Sequence, residues 1–74
     1  MSPASPDSVQ LIVNGRPQLV PGGLTAAGLL EHLKLPLKGV AVELNEQIVP
    51  RSRLAETELH AGDRLEVVSL VGGG

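Results

Sequence analysis

VQLIVNGRP, residues 9–17, decides how the chain begins. Val9, Leu11 and Val13 alternate with Gln10, Ile12 and Asn14. A period of two places successive side chains on opposite faces, so this is a strand with one buried face, expected over 8–14. Asn14-Gly15 follows it. Both residues tolerate a positive φ, and such a pair is the strongest short-range signal for a two-residue hairpin. A second strand is expected over 18–21 and stops at Pro21, which has no N–H to give a ladder. Leu19 is assigned to the core from this strand.

Pro21-Gly22-Gly23 ends the hairpin. Thr25 is placed to cap a helix over 25–34. Ala26, Leu29, Leu30 and Leu33 fall at i, i+3, i+4 and i+7, one apolar stripe. Gly28 inside it costs about 1 kcal/mol relative to alanine, so the helix depends on docking. Alternation resumes with Val40, Val42 and Leu44, a strand over 40–45. A short strand over 48–50 follows the turn at Asn45-Glu46-Gln47. Residues 51–63 read as an irregular crossover anchored by Leu54 and Leu59. The last strand spans 64–71, with Leu65 and Val67 on one side and Val68 and Leu70 on the other. The expected core is Leu11, Val13, Leu19, Leu29, Leu30, Leu33, Val40, Val42, Leu54, Leu59, Leu65 and Val67. The order β-β-α-β-β-β predicts an α+β roll: a mixed sheet of about five strands covered by one helix, with the first and last strands as parallel neighbours.

The organisation expected is a disordered leader over 1–7, one domain over 8–71, and a flexible glycine tail over 72–74. A chain of 74 residues is one domain at most and buries only roughly 60% of its unfolded surface. It has no room for a large substrate pocket and reads as a module that works by docking, not as an enzyme. It contains no Cys, which excludes disulfides, thiol nucleophiles and cysteine metal sites. A core without disulfides suits a reducing cytoplasm, the expected location. There is no Phe, Trp or Tyr, so no aromatic platform for base stacking. Six basic against eight acidic residues leave a net charge of −2, with no basic footprint for nucleic acid. No apolar run approaches the ~20 residues of a membrane span. The leader has neither a basic start nor an apolar stretch, unlike a secretory signal.

Two features carry the expected function. The first is Gly72-Gly73-Gly74. Residues without a Cβ enter a channel too narrow for side chains, and the group they deliver is the Gly74 carboxylate. That carboxylate is an anion at neutral pH and a poor acyl electrophile, so it needs activation, for which an acyl-adenylate supplies the leaving group. The second is an outer-face apolar patch of Ile12, Val68 and Leu70, expected to lie side by side as a partner-docking site. His32 and His60 have no acidic pair at ligand spacing, so no metal site is expected. Glu56 and Glu58 read as solvated loop carboxylates, as do Arg51 and Arg53 for the cations. Gly22-Gly23 lacks the Lys and Ser of a phosphate-binding loop.

Together with the order of elements, "VQLIVNGRP", "TAAGLLEHLKLP", "GVAVELNEQIVPRSRLAETEL", "AGDRLEVV" and the final "VGGG" resemble the ThiS family of ubiquitin-like sulfur carriers, from Val9 to Gly74. The resemblance implies a β-grasp fold and a co-substrate, not a catalyst. It implies that a ThiF-like adenylyltransferase uses ATP to adenylate Gly74, with no cofactor on the chain itself. Sulfur from a cysteine desulfurase persulfide then makes a thiocarboxylate, which a ThiG-like thiazole synthase takes for the thiazole of thiamin. Gly73 and Gly74 match the family's essential pair. Gly72 matches a position that is often glycine. The leader lies outside the family pattern, and Lys34 stands where a helix-ending glycine is common. The rival readings are a MoaD-type carrier for molybdopterin, a carrier for another biosynthetic route, and a ubiquitin-like interaction domain with no tail chemistry.

Overall fold

The computed structural model of the chain describes residues 8–70. Five strands form one sheet: β1 (Ser8–Val13), β2 (Arg16–Pro21), β3 (Val40–Leu44), β4 (Gln47–Val49) and β5 (Arg64–Ser69). Their order across the sheet is β2-β1-β5-β3-β4. Helix α1 (Ala26–His32) follows β2, and a short 3-10 helix (Arg51–Glu56) occupies part of the expected irregular crossover. β1 and β5 are parallel neighbours at the centre, as expected from the sequence, and the other pairings are antiparallel.

The β1–β2 turn has Asn14 at φ 52° and Gly15 at φ 81°, both in the left-handed region that a two-residue hairpin of this hand requires. That turn sets Arg16 opposite Val13, Gln18 opposite Leu11 and Val20 opposite Val9. Paired residues share a face, so Val20 turns inward and Leu19 outward. Val20 is 2% exposed and Leu19 is 73% exposed. The assignment of Leu19 to the core is therefore corrected to Val20. The strand starts at Arg16, two residues before its expected start, and its parity follows from the turn.

The core contains Leu11, Val13 and Val20 from the first hairpin, Ala26, Leu29 and Leu30 from α1, Val42 and Leu65 from the central strands, and Leu54 and Leu59 from the crossover. Leu33, Val40 and Val67 pack against it half-buried. The side-chain oxygen of Thr25 accepts from the Gly28 N–H at 3.1 Å and caps α1, as predicted. The crossover is stitched to the start of the helix by backbone bonds from Ala26 N–H to Thr57 C=O (2.8 Å) and from Leu59 N–H to Leu24 C=O (3.0 Å).

The end of α1 is built around Lys34. The Leu35 N–H donates to the Leu30 C=O at 2.7 Å, and the Lys34 N–H to the Glu31 C=O at 3.0 Å. This pair of bonds is the Schellman arrangement, which puts the residue after the cap in the left-handed region. Lys34 sits there, at φ 61°. A residue with a Cβ is strained in that conformation by roughly 1–2 kcal/mol, and glycine gives back part of that through its freer unfolded chain. Lys34→Gly is expected to stabilise the fold by about 0.5–1 kcal/mol, a rise of about 2–8 °C in Tm for a domain of this size. An unchanged or lower Tm in thermal unfolding contradicts strain at this cap.

Candidate functional site

β5 leads from the core to the C-terminal glycines, so the site starts with how β5 is held. Residues 64 and 65 are flanked on both sides. Arg64 faces β3: its C=O accepts from the Asn45 N–H at 2.8 Å, and its N–H donates to the Asn45 side-chain Oδ1 at 3.0 Å. Leu65 faces β1, its C=O accepting from the Asn14 N–H at 2.9 Å. β1 ends there, because Asn14-Gly15 turns the chain away. The next N–H on that side belongs to Val67, and it donates to the Asn14 side-chain Oδ1 at 2.8 Å. Leu70 is held on the β3 side by its N–H to the Gly39 C=O at 2.7 Å.

Both asparagines thus begin a turn and also bond β5. Asn45 and Glu46 have φ of 51° and 70°, repeating the left-handed pair at Asn14-Gly15. Asn45 Nδ2 also donates to Asp63 Oδ1 at 3.1 Å, and Asp63 Oδ2 accepts from the His60 N–H at 2.8 Å. Composition and periodicity marked these asparagines only as turn formers. Their side-chain roles depend on contacts across 19 and 53 residues of sequence, which local patterning does not carry.

The outer face of the sheet places the expected docking residues as follows. Val68 is 51% exposed and Leu70 is 66% exposed. Val68 sits opposite Ala41, so these residues form an apolar strip at the end of β5. Ile12 is on the same face but half-buried and opposite Arg64. Arg64 is four residues before Val68, about 13 Å along a strand. The expectation that Ile12 lies beside Val68 and Leu70 is therefore corrected: the patch is Ala41, Val68 and Leu70. Between the two lie Glu43 and Glu66, directly opposite one another. With Asn45, Glu46 and Arg64 they line a shallow depression. Like charges set across a ladder destabilise it by roughly 0.2–1 kcal/mol.

His60 Nε2 lies 3.9 Å from Glu58 Oε1, with both side chains mostly exposed. Among the described residues no group of three His, Cys, Asp or Glu is placed to hold a metal ion. No helix there is long and apolar enough to cross a membrane. The expected leader, residues 1–7, and the tail residues Gly72, Gly73 and Gly74 lie outside the described residues.

A family model described as the ThiS family matches residues 10–74. The chain belongs to the ThiS family. The ThiS family match includes all three terminal glycines. The chain is 32% identical over 66 residues to the sulfur carrier protein ThiS of Escherichia coli, covering 89% of this chain and 100% of that one. It is 40% identical over 62 residues to that of Thermus thermophilus, covering 84% and 95%. A thiazole synthase of Paramagnetospirillum magneticum is 38% identical over 66 residues, and the chain spans only 20% of that protein's length. The crystal structure of the thiamine biosynthesis protein ThiS from Geobacter metallireducens superposes with a TM-score of 0.78 at 35% identity, covering 89% of this chain and all of that one. The ThiS β-grasp fold inferred from the sequence is thereby shown.

Asn14→Gly keeps the turn, because glycine adopts the same left-handed φ, and removes only the acceptor for Val67. The expected loss is about 0.5–1.5 kcal/mol, the net value of one such bond. Hydrogen exchange is expected to accelerate at the Val67 amide. Exchange there at the wild-type rate contradicts the side-chain bond.

Proposed function

We propose that the chain is a sulfur carrier for thiamin biosynthesis whose working group is the Gly74 carboxylate. The observation that carries this reading is the ThiS family match running through Gly74, joined to a fold whose central strand leads toward that terminus. Relatives along nearly the full length are named sulfur carrier protein ThiS. A ThiS-like segment also makes up part of proteins named thiazole synthase, which supports a thiazole synthase as the acceptor.

The chemistry follows from the carboxylate. Its oxygen attacks the α-phosphate of ATP on an adenylyltransferase, and pyrophosphate leaves. The acyl-adenylate carbonyl is then attacked by the terminal sulfur of a persulfide, supplied by a cysteine desulfurase, and AMP leaves. A thiol reduces the acyl disulfide and frees the thiocarboxylate. The sulfur is now a better nucleophile than the oxygen it replaced, and it stays covalently held instead of diffusing as sulfide. No step asks this chain for a general acid or base. The protein is a co-substrate, and its fold serves to present the tail and to dock.

Two expectations test this. Incubation with the cognate adenylyltransferase, ATP, a persulfide donor and a thiol should exchange one oxygen of the wild-type protein for sulfur, read by intact mass. Gly73→Val should abolish the exchange and leave the Tm unchanged, because a β-branched side chain blocks a channel fitted to bare backbone. No exchange in the wild-type protein contradicts the carrier reading, and thiocarboxylation of Gly73→Val at the wild-type rate contradicts the narrow channel. Val68→Asp should keep the fold, since Val68 is half exposed, and weaken adenylyltransferase binding by about 2 kcal/mol, as for a central interface residue. Unchanged affinity removes the outer-face strip from the interface.

A further inference from the structure

The central sheet has an open stretch of backbone just before the tail. Odd-numbered residues of β5 present their N–H and C=O groups toward β1, and even-numbered ones toward β3. On the β1 side the ladder stops at Val13 opposite Leu65. Asn14 Oδ1 takes the Val67 N–H. Beyond that bond, the Val67 C=O and the Ser69 N–H and C=O face a side where, among the described residues, no strand lies. The opposite side is filled by β3 and Gly39 as far as Leu70. The edge is thus open on one side only.

We propose that an extended segment of the adenylating enzyme adds as a strand to this edge of β5, bonding the backbone of Val67 and Ser69. The proposal rests on the carrier reading above and deepens it by naming the contact. The occupant follows from what comes next in the chain. Gly72, Gly73 and Gly74 have no side chains, so an enzyme that selects this tail must read main-chain donors and acceptors. An unpaired edge is a template for strand addition. An added strand that bonds Val67 and Ser69 is seated three residues before the first of these glycines in the sequence. It also explains why β5 outruns β1: a longer β1 would cover the groups that the enzyme needs.

The test uses the full chain, its cognate adenylyltransferase and ATP. Ser69→Pro removes the N–H on the open side and leaves the bonds to β3 intact, because Ser69 does not face β3. The variant is expected to give a wild-type-like amide spectrum away from residue 69 and to bind about tenfold or more weakly, the effect of losing one interfacial bond and obstructing its neighbour. Ser69→Ala keeps the N–H and should lose far less; an equal loss means that the hydroxyl is read and overturns the proposal. Hydrogen exchange on the wild-type protein gives the second readout, which does not depend on the variant folding. The Ser69 amide should exchange freely alone and become protected in the complex. No protection on binding overturns strand addition while the carrier reading stands, provided that the wild-type protein is thiocarboxylated. Ser69 protection in the free protein that rises with its concentration assigns the edge to a second copy, which also overturns the proposal. Failure of the wild-type protein to be thiocarboxylated overturns both readings together.

Discussion

Two residue pairs, Ile12 with Arg64 and Val13 with Leu65, join the first strand to the last, and the rest of the fold is arranged to make that parallel contact possible. Parallel strands cannot be joined by a tight turn; the chain must leave the sheet and return. Here it leaves through α1, lays β3 and β4 on the far side of β5's place, and comes back through the 3-10 helix and a turn at Ala61-Gly62, closed by the Asp63 N–H donating to the His60 C=O. The crossover puts Leu29 and Leu30 over Leu11, Val13, Val42 and Leu65, all buried in one cluster. The consequence for function is positional. The last strand is central, so its end at Ser69 lies within the sheet and not at its edge.

A central strand this short needs its backbone groups satisfied. β1 covers only its beginning. Two of its donors are taken by side-chain amides, the Val67 N–H by Asn14 on the β1 side and the Arg64 N–H by Asn45 on the β3 side. Each amide is available because its residue sits at the first position of a left-handed turn pair, where asparagine is among the few side chains tolerated. Turn formation and strand support are therefore one device. It holds β5 up to Val67 without extending β1 and so leaves the groups at Ser69 uncovered.

The strands, the capped helix and the parallel central pair were legible because each rests on a local signal: alternation, Thr25 before an apolar stripe, Asn14-Gly15 between strands. Val20 was legible too, had the strand been counted outward from the two-residue turn. Starting it at Gln18 let the bulk of Leu19 decide the face, and the pairing of Val20 with Val9 shows the parity was the better guide. Lys34 stands where a helix-ending glycine is common, and its φ of 61° shows that it takes up the left-handed conformation such a glycine would adopt. Ile12 was placed on the correct face, yet its distance from Val68 depends on the register between β1 and β5, which no local pattern encodes. The long-range bonds of Asn14 and Asn45 were hidden for the same reason. The terminal glycines lie outside the described residues, and the reading of them rests on the sequence and on the family match through Gly74.

Shallow surface depressions, a supported central strand and a bare backbone tail fit a protein that is acted upon. The most direct measurement of that claim is sulfur transfer in a single turnover. The carrier, thiocarboxylated with isotopically labelled sulfur, is mixed with the thiazole synthase and its remaining substrates. The account predicts that the label appears in the thiazole product as the carrier returns to its carboxylate form. Label that remains on the protein while unlabelled thiazole is made contradicts it.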